Sequence, residues 1–299
     1  MQNKSLSGTL MVLGAAVLWG TTGTTQSLIP THLSAYWIGA LRLVVAAAFF
    51  GAVTLATLSR AQLRQGWRAL PGWSVLLAGA SVAGYNLAFF AGVKATGVAI
   101  GTAIALGSGP LWAGLLQWLL TRQLPAWSWW LGTLLAVGGG SLMVLSGAST
   151  GGAMANLQGI TLCLLAGLSY AVYALLNQRL VHATSPTVAT LAAFGTAAVL
   201  AVPVAWTISG NVTPGPRDWA VVGYLGVVAT GMAYLLFSHA LRWISSATAV
   251  TLALAEPLVA FCLALLVLHE AASTGAFICL GLVLAGLAVV VLAEVRRKA

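Results

Sequence analysis

Trp19, Thr22 and Gln26 stand at positions i, i+3 and i+7, and Tyr170, Tyr173 and Asn177 repeat that spacing 151 residues further on. In a helix such positions share one face. Each triplet is then a stripe of rings with hydroxyl or amide groups, able to stack on an apolar moiety while hydrogen-bonding a polar one. That is the chemistry of reversible binding rather than of bond breaking. The chain has no HExxH motif, no paired carboxylates and no Walker lysine loop, so neither catalysis nor ATP drive is expected. Cys163, Cys262 and Cys279 lack CxxC or CxxH spacing, and no metal, cofactor or disulfide framework is expected.

The elements that carry these stripes are long apolar runs. Charged residues make up 6% of the 299 positions and mean hydropathy is +0.98. So few charges cannot coat a soluble protein of this length. Crossing a hydrocarbon core takes roughly 20 helical residues. Breaks at Gly, Pro, charge and polar clusters divide the chain into ten spans, roughly 7–28, 34–58, 71–92, 97–120, 127–146, 157–178, 186–208, 218–241, 246–268 and 272–293. The expectation is an all-α polytopic membrane protein with ten transmembrane helices and no room for a soluble catalytic domain. The first run continues past Trp19 without a small-residue cleavage pattern, so it reads as a retained helix rather than a signal peptide.

Basic residues set the orientation. With the N-terminus inside, the inner loops collect Lys4, Arg60, Arg64, Arg68, Arg122, Arg179, Arg242, Arg296, Arg297 and Lys298, and the outer loops only Lys94 and Arg217. This asymmetry predicts both termini inside. Two charges fall within spans, Arg42 in the second and Glu256 in the ninth. Each costs at least about 2.5 kcal/mol on insertion scales unless it faces water, protein or an opposite charge. Arg42 reads as a structural charge, ion-paired or snorkelling. Glu256, with His239 as the nearest pathway histidine, reads as structural, as a proton-coupling group or as a site for a substrate amine.

Two alignments of the chain with itself divide it at about residue 150. Gly8–Tyr36 falls on Gly159–Thr187, and Pro110–Leu145 falls on Pro257–Leu292 without a gap. Residues 1–150 and 151–299 therefore read as two five-helix repeats. An odd helix count inverts the second repeat relative to the first, and such proteins bind substrate where the repeats meet. Further polar or flexible groups lie at membrane depth: Tyr85, Asn86 and Phe89, then Ser108 beside Pro110, then Tyr234 and Ser238. Pro110 and Pro257 occupy matching positions and read as hinges or kinks in the cavity wall. Gly132, Ala136 and Gly140, with Gly281 and Ala285, read as close-contact surfaces of the fifth and tenth spans.

Trp19-Gly20, Leu41-Arg42-Leu43 followed by Ala46, Glu256-Pro257 and His269-Glu270 occur in that order across the two halves. With these motifs the chain resembles the drug/metabolite transporter superfamily, in its EamA branch. The resemblance implies a ten-helix carrier with inverted repeats in which the fifth and tenth helices support the other eight around a cavity. Within the branch, the chain is most similar to YddG-type exporters of aromatic amino acids from the bacterial inner membrane. The function expected is secondary transport of small amphipathic metabolites, foremost aromatic or large neutral amino acids, by alternating access. Its partners would be the small-molecule substrate and the lipid bilayer, with no nucleic acid. A multidrug or cationic-compound exporter and a membrane scaffold are the alternatives.

Overall fold

The computed structural model describes residues 2–29, 31–96, 98–122, 124–146, 157–267, 269 and 274–297. All regular structure among them is helical: α1 (Gln2–Leu28), α2 (Ala35–Thr57), α3 (Arg60–Ala69), α4 (Gly72–Thr96), α5 (Val98–Thr121), α6 (Trp127–Ser146), α7 (Leu157–Ala183), α8 (Pro186–Ser209), α9 (Pro216–Tyr224), a π-helical segment (Leu225–Met232), α10 (Ala233–Ala240), α11 (Ser246–Leu252), α12 (Ala255–Leu266) and α13 (Thr274–Arg297). Lipid offers no hydrogen-bond partner to a backbone amide, and a helix satisfies its amides internally. Among the described residues nine stretches are long and apolar enough to cross a membrane, including α9 through α10 as one stretch and α11 with α12 as another. The helix α6 runs over the residues expected of the fifth span and packs along α13.

Serine residues start several helices. Ser34, Ser59, Ser185 and Ser245 each accept a bond from a first-turn amide with the side-chain oxygen, so polar breaks between apolar runs become caps. Ser59 forms a reciprocal box with Gln62 that starts α3, a surface helix the sequence reading passed over as a connection. At the other end of α2, the Trp37 indole donates to the Gly210 carbonyl at 3.0 Å and Ser34 bonds Ser209 at 2.8 Å, which fastens the start of α2 to the end of α8. Asp218 accepts the amides of Gly215 and His32 and ties the α1–α2 connection to α9.

The packing pairs repeat when the halves are exchanged. The helix α7 packs on α4 and α5, and α1 packs on α10 and α12, which are their counterparts; α2 meets α8, and α6 meets α13. The α6–α13 seam is backbone-close, with contact points that differ in part from the expected ones. An added Cβ on Gly286 would come within 2.5 Å of the Ala136 amide nitrogen, and one on Gly139 within 2.9 Å of the Cys279 carbonyl oxygen. Gly132 lies in the seam as expected, but Gly139 and Gly286 replace Gly140 and Gly281 as contact points. Gly281 has open space around it.

Gly286→Val is therefore expected to force the two helices apart and cost about 1–3 kcal/mol, read as a lower melting temperature of the detergent-purified protein. Gly281→Ala, where nothing lies within 4 Å, is expected to leave that temperature unchanged. Equal melting for Gly286→Val and the parent would show that the seam is not close-packed.

Candidate functional site

A cavity of about 360 Å³ lies in the middle of the bundle, walled by α1, α2, α4, α5, Tyr170 of α7, the π-helical segment, α10 and the α11–α12 junction. It opens at the end where α1 stops and α2 starts, since Gln26 and Ala35 line it and are exposed. Two departures from α-helix border it. The stretch from α9 to α10 widens into the π-helical segment, which brings Ala229 and Thr230 to the wall. A Cβ on Gly226 would approach Val45 to 2.5 Å, and one on Gly231 would approach Phe49 equally closely, so this segment can lie against α2 only because both positions lack side chains. The stretch of α11 with α12 breaks at Ala253 and Leu254, and both residues line the cavity. The loosened backbone faces a space that water can reach.

The break places Glu256 in the first turn of α12, on the cavity wall, where the positive end of the helix dipole offsets part of the cost of a carboxylate. Pro257 follows it, at a helix start where a missing amide hydrogen costs least. Arg42 faces the same cavity from α2. Its Nη2 donates to Asn86 Oδ1 at 2.7 Å, and Asn86 in turn donates to the Val82 carbonyl at 2.8 Å. The guanidinium is thus held by a neutral amide rather than by the acid, and the cavity presents one basic and one acidic side chain.

The rest of the wall is largely aromatic. Trp19 meets Tyr234 edge-on with centroids 5.0 Å apart, and Tyr85 stacks on Phe89 and tilts against Tyr170, both at 5.8 Å. The Trp19 Nε1 and the Tyr170 hydroxyl are buried without a protein partner, so two donors stand unspent beside the cavity. Thr22 and Gln26 continue the α1 stripe toward the opening, where the Gln26 amide makes one long bond, 3.4 Å, to the Thr22 carbonyl.

The matching stripe on α7 has another setting. Tyr170 reaches the cavity, but Tyr173 and Asn177 lie beneath it, together with Ser238, in a layer with Phe194 and Phe237. Asn177 donates to Ser238 at 2.8 Å, and neither is exposed at all. Below them the Gln178 amide donates to the carbonyls of Leu241 and Ile244 and accepts from the Ser246 amide, and Arg242 donates to the carbonyls of Val181 and Thr184. This end of the bundle is closed. His239 is turned from the cavity with Nδ1 2.8 Å from the Leu235 carbonyl, and Ser108 sits against Gly167 with its hydroxyl on the Ala105 carbonyl. Pro110 is buried within α5, which continues through it as one helix, whereas Pro257 directly follows a real break. Phe90, Thr102 and Thr230 join the wall without having been picked out from sequence, since nothing in their local pattern separates them from other span residues.

Both halves of the chain, residues 6–145 and 157–292, match the EamA-like transporter family. A relative from Bacillus subtilis (strain 168), the "Uncharacterized transporter YwfM", is 35% identical over 291 residues, 97% of this chain and 95% of its own length. A crystal structure described simply as that of a protein superposes with a TM-score of 0.81 over 98% of this chain and 99% of its own, at 22% identity, a likeness of fold. The cavity just described thus lies at the centre of a chain that belongs to the EamA-like transporter family, a multi-pass membrane transporter.

Proposed function

We propose that this protein is a secondary transporter that exports amino acids with aromatic or other large apolar side chains across the bacterial plasma membrane, with ten spans and both termini inside. The observation that carries the reading is the composition of the cavity. It holds Arg42 and Glu256 without a direct bond between them, on a wall of Trp19, Tyr85, Phe89, Tyr170 and Tyr234. A zwitterion brings both opposite charges, and an apolar side chain brings the ring or alkyl surface that the aromatic wall would cover. The carboxylate would meet Arg42, and the ammonium would meet Glu256. A purely cationic substrate fits less well, because Arg42 faces the space that its charge would occupy.

Alternating access follows from the two stripes. The exchange symmetry of the packing pairs supports an inverted relation between residues 1–150 and 151–299. Under it, exposed Gln26 and buried Asn177 are equivalent positions in opposite states, one at the open end and one at the closed end. Transport would exchange their environments, with the α11–α12 break and Pro110 as the places where the helices bend. Glu256 would change its exposure in that movement, which suits a coupling group.

Three outcomes are expected. Purified protein in liposomes should take up labelled aromatic or large neutral amino acids saturably, and Trp19→Ala or Tyr170→Ala should reduce flux about tenfold while the protein stays folded, a factor that corresponds to about 1.4 kcal/mol. Unaltered flux in both variants would remove the cavity from the pathway. Glu256→Gln should abolish dependence on a pH gradient while substrate exchange continues at a raised KM, because Gln keeps an acceptor for the ammonium but not the charge, and retained gradient dependence would exclude Glu256 from coupling. Gln178→Leu removes three bonds from the closed end, so a cysteine placed at buried Ala240 in a background free of native cysteines should react with a water-soluble maleimide at least about tenfold faster. An equal rate would mean that Gln178 does not hold that end shut.

A further inference from the structure

The surface helix α3 joins two membrane spans, so it lies at the boundary of the bilayer. Arg60, Arg64 and Arg68 repeat at intervals of four along it, and all three are exposed with no hydrogen bond or ion pair among the described residues. Between them, Leu63 and Trp67 form an adjacent apolar stripe, and these five residues line one open groove of about 430 Å³. Gly66 faces the α7–α8 connection and the start of α8, where a Cβ would come within 2.8 Å of the Thr184 hydroxyl and 3.3 Å of Val188, so the helix is seated closely on the bundle and its arginines are held outward. A second groove, of about 250 Å³, runs from the other side of Trp67 past Leu70 at the end of α3 and along Val75 and Leu76 of α4 to Thr196 of α8. Trp67 borders both.

We propose that α3, α4 and α8 form a binding site for an anionic phospholipid, with its phosphate on Arg60, Arg64 and Arg68 and an acyl chain in the groove behind Trp67. Charge complementarity selects this occupant. The chain has four acidic residues and none lies on α3, α4 or α8, so the negative charge must come from outside the protein. Arginine matches phosphate oxygens in a bidentate fork, and an indole placed between a polar and an apolar groove suits the headgroup level. A free phosphate ion would use the arginines but leave the apolar groove unfilled, and a neutral lipid would use only the groove. The site is remote in sequence from the cavity and does not depend on what the cavity carries.

The test is native mass spectrometry of the delipidated, detergent-purified protein, given equal amounts of phosphatidylglycerol and phosphatidylcholine with identical acyl chains. The parent should retain phosphatidylglycerol preferentially, and the preference should fall roughly fivefold for each arginine replaced by Gln, up to the triple variant R60Q/R64Q/R68Q. The triple Lys variant should keep most of it. Should the triple Gln variant not be recovered, the single exposed change Arg64→Gln reads the same preference. Val75→Trp, which fills the apolar groove, should weaken binding of both lipids, and excess inorganic phosphate should not displace phosphatidylglycerol from the parent. A preference that survives loss of the arginines, equal lipid binding by Val75→Trp, or displacement by phosphate would each overturn the proposal.

Discussion

Hydrocarbon offers no partner to a backbone amide or carbonyl, and this constraint organises the molecule. It makes every membrane-crossing stretch helical and makes any departure from the helix costly unless protein or water covers it. The two main departures, the π-helical segment and the α11–α12 break, both border the central cavity. The cavity and the irregular backbone sustain each other: irregularity shapes the space, and the space lets the freed groups be solvated.

The same cost governs the charges. Arg42 and Glu256 are on spans, and each is tolerated by a distinct device: a guanidinium anchored on Asn86, and a carboxylate at the positive end of α12. Neither device consumes the full charge. A direct ion pair would have been a mutual neutralisation, which leaves little for a substrate. Two charges held apart on one wall keep their capacity for an external partner, and the buried donors of Trp19 and Tyr170 extend the same logic to neutral groups.

Around this centre the bundle is fastened unevenly. The closed end is laced by Gln178 and Arg242 onto backbone carbonyls, with the Asn177–Ser238 pair above them, whereas Gln26 at the open end holds only its own helix. The seam of α6 with α13 brings two backbones into contact through Gly132, Gly139 and Gly286 and contributes no residue to the cavity wall.

How much of this was legible in the sequence differs by level. Helix limits were, as the exact coincidence of residues 127–146 and the start at Leu157 illustrate, because hydrophobicity and chain breaks are local properties. So was the membership of Trp19, Tyr85, Asn86, Tyr170, Tyr234 and Glu256 in one lining, since polar and aromatic groups at membrane depth must face inward. The α3 helix was hidden because its arginines read as a polar break, and its capping box becomes meaningful only once the chain is known to turn there. The exposure of Gln26 against the burial of Asn177, and the use of Gly139 and Gly286 rather than Gly140 and Gly281 in the α6–α13 seam, belonged to tertiary structure alone. Each depends on which distant helix lies opposite, and equal spacing along a chain carries no information about the partner across it.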